Sequence, residues 1–217
     1  MLEQKKDTKP IDFSFLKNMP LRENSEIESY EKKQAEMQRK AFLENCGLDS
    51  DFYGAKIDFN EYTAETRRNL WQFVDNVRNK KGGFLIINGT VGTGKTSAAA
   101  AVMVELMKGT YLDMLELDLK LNTADRFNSQ ENREMLMHRL IRCELLVLDE
   151  VGRFPDRKLL EQPILFYLLN RRFQNNRPTV VCTNMSSKEF ADFMGQALID
   201  RIRSNRIRVE LNGSSLR

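Results

Sequence analysis

The sequence predicts an α/β fold: a parallel sheet of five strands with helices on both faces. Three observations predict it. From residue 84 onward, short apolar runs alternate with longer helical patterns, the order that builds a parallel sheet through helical crossovers. Two of the runs, Glu144–Leu148 and Thr179–Thr183, carry apolar residues without alternation, as strands buried on both faces do. Between the first run and the helix after it lies a glycine-rich octapeptide, Gly89-Thr-Val-Gly-Thr-Gly94-Lys95-Thr96.

Taken in order, residues 1–20 are polar, contain Pro10 and Pro20, and hold no sustained period. A flexible arm is expected there. Its cluster Ile11, Phe13, Phe15 and Leu16 suits either docking on another protein or packing on its own domain. Residues 25–45 read as a helix, opened by a candidate capping box of Ser25 and Glu28 and stopped by Gly47. Its sparse stripe of Ile27, Tyr30, Met37, Phe42 and Leu43 leaves it exposed or packed on another chain. Residues 48–62 read as a linker with aromatic anchors. Residues 64–79 form a second amphipathic helix, with Leu70, Phe73, Val74 and Val77 at helical spacing.

Strands are then expected at Phe84–Asn88, Tyr111–Leu115, Glu144–Leu148, Thr179–Thr183 and Ile207–Leu211. Helices are expected at Thr96–Met107, 116–127, 131–141, 158–176 and 187–203, with Pro163 near the first turn of the fourth, where proline is tolerated. The expected division is 1–47 as N-terminal arm and helix, 48–80 as linker and amphipathic helix, and 81–217 as the main domain.

The chain has 217 residues, 41% of them hydrophobic and 30% charged, enough apolar material for one buried core with an extension. No apolar run approaches the ~20 residues of a membrane helix, and the N-terminus lacks a secretory h-region. A cytoplasmic location without membrane contact is expected. Cys46, Cys143 and Cys182 are widely spaced, so neither a disulfide framework nor a zinc site is suggested; buried apolar roles are expected. His138, the only histidine, receives no role. Between Arg153 and Arg217 twelve Lys/Arg face six Asp/Glu, which fits a nucleic-acid or nucleotide partner or an ordinary solvated surface.

The octapeptide matches phosphate-loop spacing, and both flanks match as well. The loop must turn successive N–H groups inward, which glycine permits. The helix start adds partial positive charge there. Lys95 places an ammonium on the β/γ-phosphates of ATP, and the Thr96 hydroxyl completes a magnesium shell. The alternative is a plain glycine-rich turn.

Leu145-Leu-Val-Leu-Asp149-Glu150 ends a buried strand with two carboxylates, at the strand end where ligands of parallel sheets bind. Asp149 is expected to face the loop and hold Mg2+, mostly through water, and Glu150 to orient or deprotonate the attacking water. Asn184, just after Thr179–Thr183, is a candidate γ-phosphate or water contact; otherwise it caps the next helix, a role open also to Ser186 or Ser187. Arg201 in Asp200-Arg-Ile-Arg203 could reach a phosphate on a neighbouring subunit, or complement a helix dipole.

From about Asn45 to Arg217 the sequence resembles bacterial helicase loaders of the DnaC/DnaI type, a branch of the AAA+ ATPases shared with IstB-like transposition ATPases. The resembling blocks are Gly47-Leu-Asp-Ser-Asp-Phe-Tyr, the loop with Ser97-Ala-Ala-Ala behind it, Leu146-Val-Leu-Asp-Glu-Val-Gly, Arg171 to Asn184, Gly195 to Arg203, and Leu211 to Arg217. The resemblance implies a three-layer AAA+ P-loop domain over 81–217 with a helical N-terminal extension and no C-terminal lid. It implies nucleotide contacts from Gly89, Thr90, Val91, Gly92, Thr93, Gly94, Lys95, Thr96, Ser97 and Asp149. Thr96 and Asp149 serve Mg2+; Glu150, Asn184 and Arg201 are catalytic, with Arg201 acting in trans, and Arg217 is a second sensor.

The resemblance also implies a replicative hexameric helicase as partner, self-association through the ATP sites, and single-stranded DNA held at Arg126 and Phe127, with Phe127 as a plain core residue the alternative. The first 45 residues do not match a cysteine-rich zinc module, so the helix there becomes the candidate helicase-docking element. The expected function is ATP-dependent helicase loading. Two alternatives stay open: an ATPase that assists a transposase on duplex DNA, and a small-molecule kinase, which the Asp149-Glu150 pair and the late Arg201 disfavour.

Overall fold

The computed structural model describes residues 24–124, 132–153 and 158–212. It divides into two compact units, Met1–Gln38 and Arg39–Arg217. The described part of the first unit belongs to helix α1 (Asn24–Asn45); Tyr30 and Met37 are exposed.

The second unit is built on one five-stranded sheet. Its strands are β1 (Phe84–Gly89), β2 (Thr110–Asp113), β3 (Leu146–Val151), β4 (Thr179–Thr183) and β5 (Arg206–Leu211). Their order is β2-β3-β4-β1-β5, and every pairing is parallel. Along each strand, up to the register shift after Leu148 in β3, odd and even residues face opposite ways. Leu85, Ile87, Val147, Val180 and Cys182 join α2 (Ala64–Arg78) and α3 (Lys95–Leu106) in one core. Phe84, Ile86, Leu146, Leu148 and Val181 face the other way. There they meet α4 (Met114–Ala124), α5 (Arg133–Arg142), α6 (Lys158–Gln174), α7 (Ser187–Met194) and α8 (Gln196–Ile202). The unbroken apolar runs follow from this cover. Removing a side chain such as Ile87 from water contributes roughly 1.5–3 kcal/mol.

The structure revises several boundaries. Residues 48–62, expected as a linker with aromatic anchors, pack more fully than that: Leu48 and Ile57 as well as Tyr62 are buried in the α2–α3 core. Trp71 Nε1 also donates to Asp58 Oδ1 at 3.0 Å. Strand β2 stops at Asp113, because its carboxylate accepts from the Glu116 N–H at 2.7 Å and starts α4 at Met114. Strand β3 runs past its apolar stretch through Asp149 and Glu150 to Val151. Pro163 is the sixth residue of α6 rather than part of its first turn. The segment 187–203 is two helices, split where Gly195 takes φ 83° and ψ 137°, a conformation that breaks the helical path and that a side chain disfavours.

Arg172 of α6 is the largest fully buried side chain. Its Nε donates to Thr179 Oγ1 at 2.8 Å. One terminal nitrogen donates to the Leu140 and Cys143 carbonyls, at 2.5 and 3.1 Å, and the other to the Pro178 carbonyl at 2.6 Å. The guanidinium thus ties the end of α5 to the starts of β3 and β4. Burial draws its pKa down to about 10, so it stays charged at neutral pH, and the carbonyl end of α5 complements that charge. Arg172→Met removes these donors and leaves buried carbonyls unpaired, each costing about 1–3 kcal/mol. A loss of about 3–5 kcal/mol in urea denaturation is expected; a loss below about 1 kcal/mol would show that the carbonyls find other partners.

Candidate nucleotide site

The loop between β1 and α3 begins at Gly89. A Cβ there would sit 2.5 Å from the Leu211 carbonyl oxygen of β5 and 2.8 Å from Thr93 Oγ1, so this close approach requires glycine. The Thr93 hydroxyl closes the loop by donating to the Thr90 carbonyl at 2.9 Å. Gly94 is the N-cap of α3 at φ 85°, with no side-chain cap. The first N–H groups of α3 therefore remain available to an anion. Lys95 Nζ lies across the loop and donates to the carbonyls of Gly89 at 2.9 Å and Thr90 at 2.6 Å. Val91 is exposed at the tip; Gly92 lies behind it, and Ser97 is half-buried one residue after Thr96.

Asp149 is the buried centre of the site, 2% exposed. Its Oδ2 accepts from the Thr96 hydroxyl at 2.6 Å and from the Tyr111 phenol at 2.8 Å. Its Oδ1 accepts from the Glu150 N–H at 2.7 Å. The carboxylate expected to face the loop thus touches the loop's own threonine. Glu150 sits at φ 57°, where the register of β3 with β4 shifts between Leu148 and Val151, and its carboxylate pairs with Arg153.

Asn184 leaves β4, the strand between β3 and β1, at their shared carboxyl end. It is exposed. Capping of α7 falls to Ser186, whose side chain and that of Glu189 form a complete capping box. Arg201 lies on α8, exposed, and donates to Asn170 Oδ1 of α6, not to the loop of its own chain. Arg126, Phe127 and Arg217 lie outside the described residues.

Two tyrosines escaped the sequence reading. Tyr111 reaches Asp149 because β2 pairs with β3 in the register Tyr111↔Val147 and Asp113↔Asp149, which puts Tyr111 on the α3 face. Burial, then the Asp149 charge and hydrogen bond, push its phenol pKa well up, so it stays a donor. Tyr62 donates to the Gly94 carbonyl at 3.4 Å. It borders a cavity of about 540 Å3 beside the loop, lined also by Glu61, Thr63, Asn69, Thr93 and Leu211. Neither carries a signal in the sequence: Tyr111 depends on the β2–β3 register, and Tyr62 meets Gly94 from 32 residues away.

A parallel β2-β3-β4-β1-β5 sheet, a phosphate loop after β1 and a carboxylate at the end of β3 define a P-loop nucleotide-binding protein of the AAA+ type. More narrowly, the chain belongs to the family of IstB-like ATP binding proteins, whose model matches residues 2–217. The replicative helicase loader DnaC of Escherichia coli is 33% identical over 178 residues, covering 80% of this chain and 70% of that protein. The crystal structure of the DnaC helicase loader is similar with a TM-score of 0.62 at 20% identity, covering 76% of this chain and 100% of that one. The crystal structure of DnaI gives 0.59 at 20% identity, covering 78% and 94%.

Tyr111→Phe tests the tyrosine's positioning role. On the expectation that Asp149 holds Mg2+, nucleotide affinity measured with Mg2+ should fall about tenfold, while affinity in EDTA and the thermal midpoint change little. An equal drop with and without Mg2+ would contradict it.

Proposed function

We propose that this chain is a Mg2+-dependent ATPase that loads a replicative hexameric helicase onto single-stranded DNA. One observation carries the enzymatic part: the 2.6 Å bond between Thr96 Oγ1 and Asp149 Oδ2. It brings the hydroxyl of the loop and the carboxylate of β3 to one point. The residues fit a magnesium site of the kind that borrows phosphate oxygens. Among the described residues no group of three or more His, Cys, Asp and Glu could cage a metal alone. Thr96 and Asp149 would hold the ion, which when bound neutralises developing phosphate charge.

The chain's own groups divide the remaining work. Lys95 moves from the loop carbonyls to the β/γ-phosphates, and the uncapped start of α3 supplies N–H donors. Glu150 leaves Arg153 to orient and deprotonate water, and Asn184 positions that water or the γ-phosphate. Tyr62 and the cavity beside Thr93 take the nucleoside. Arg201, exposed and bonded to Asn170 of α6, supplies a guanidinium to the nucleotide of the next subunit, so activity depends on self-association. Hydrolysis releases the loader.

The relative named a replicative helicase loader, matched over most of this chain, supports the helicase as partner. Residues 1–47 are the proposed docking region, and Arg126 and Phe127 the DNA contacts. Among the described residues no helix is long and apolar enough to cross a membrane, in keeping with a proposed cytoplasmic location.

Glu150→Gln is expected to lower turnover at least about 100-fold with ATP affinity nearly kept, whereas Lys95→Ala loses both; isothermal titration and phosphate release separate them. Arg201→Ala and Lys95→Ala proteins, each inactive, are expected to regain activity on mixing by forming intact half-sites. Absence of rescue at every ratio would argue against a shared site. With ATP, the full chain is expected to capture the hexameric helicase and a chain lacking residues 1–47 is not. Failure of the full chain to do so refutes the loader role while leaving the ATPase assignment standing.

A further inference from the structure

The sheet face opposite the phosphate loop carries a second polar site. The register Phe84↔Arg206, Ile86↔Arg208 and Asn88↔Glu210 places Arg206 and Arg208 on the same face as Asn88, turned away from α3. The 3-10 turn Arg203–Asn205 after α8 adds Arg203. These three arginines and Asn88 line a cavity of about 220 Å3, with Thr183 and Gln196 beside them. Among the described residues none of the three guanidinium groups makes a hydrogen bond or ion pair. Asp200, also on the wall, accepts from Gln196 Nε2 at 2.7 Å, and among the described residues Glu210 forms no ion pair. Burial and repulsion from Arg208 and Arg203 hold the Arg206 pKa below its usual value.

Asn88 supplies an independent sign. It is 5% exposed, and its Oδ1 is buried with no hydrogen-bond partner. Such a group costs about 1–3 kcal/mol and calls for a specific cause. An exposed edge strand accounts for charged residues such as Arg208; it does not account for a buried amide at the back of the cavity.

We propose that this cavity binds a phosphate monoester, its anionic oxygens met by Arg203, Arg206 and Arg208, with the P–OH of its singly charged form or a hydroxyl of the esterified alcohol donating to Asn88 Oδ1. At ~30 Å3 per water, the space suits a phosphate group with little attached, not a nucleoside triphosphate. This site is separate from the proposed ATPase chemistry and does not require it.

The test is calorimetric titration of inorganic phosphate into the full chain, with the phosphate loop saturated by a non-hydrolysable ATP analogue. Saturable phosphate uptake is expected, and the Arg203→Gln/Arg206→Gln double variant should weaken it at least tenfold while the analogue binds as before. Equal phosphate affinity in both proteins, or no uptake by the wild type, overturns the proposal. If the analogue itself fails to bind, the nucleotide reading fails; the comparison of the two proteins is then made on a Lys95→Ala background and still decides this site. Competition by a 5′-phosphorylated octanucleotide but not its 5′-hydroxyl form supports the site and identifies the source as a nucleic-acid end. Competition by neither, with phosphate still bound, supports it and identifies a small phosphorylated molecule.

Discussion

The buried carboxylate of Asp149 is the constraint around which the candidate nucleotide site is arranged. An ionised carboxylate out of water is costly unless its oxygens are satisfied. Here three donors meet it, from Thr96 on α3, Tyr111 on β2 and the Glu150 backbone. Each comes from a different part of the chain, so the group fixes the start of α3 against two strands. The backbone pays for this with a bulge. Leu148 packs on the α5–α6 side of the sheet, and strict alternation would send Val151 to the other side; yet Val151 shares the cluster of Leu148. The register shift and the positive φ of Glu150 absorb the extra residue. They leave Asp149 facing α3 and turn Glu150 out toward solvent.

How close α3 can come to the sheet sets the Thr96–Asp149 distance. Ala98, Ala99, Ala100 and Ala101 are all buried, none more than 1% exposed. Small side chains over this stretch let α3 lie tightly on β1 and β4, where branched residues would hold it off. On the other face the cluster is made of larger residues, Phe190, Phe193, Leu165 and Leu168 among them, and five helices share it. The fully buried Arg172 fastens that layer at the opposite end of the strands. The sheet is thus pinned by a satisfied anion at its carboxyl end and a satisfied cation at its amino end.

What could be read from sequence was local. The phosphate loop is legible because one contiguous octapeptide carries its whole chemistry, and the strands at 84–88, 144–148 and 179–183 because burial on both faces leaves continuous apolar runs. The two carboxylates Asp149 and Glu150 were legible as the end of a buried strand, but its last residue, Val151, lies beyond them, outside the continuous apolar run. Tyr111 required the β2–β3 register, which no order of residues along the chain reveals. In 48–62 the aromatic anchors were legible, but the burial of Leu48 and Ile57 was not, because these residues follow no period. The split at Gly195 was masked by helical residues on both sides, a case of one backbone conformation overriding propensity.

Strand β1 separates two chemistries within two residues. Gly89 opens the phosphate loop on the α3 side and tolerates no side chain against Leu211. Asn88 points to the other face, buried, with an unpaired acceptor. The corner built by α8, the Arg203–Asn205 turn and β5 then sorts its cations by position. Arg201, near the end of α8, is exposed and bound to Asn170 of α6. Arg203, Arg206 and Arg208 line the cavity next to Asn88. A helix end that needed only dipole compensation would be served by Arg201 and Arg203. The two further arginines on β5 lie beyond the helix, so dipole compensation cannot account for them. Their position beside a desolvated amide is what distinguishes this corner from a solvated basic edge.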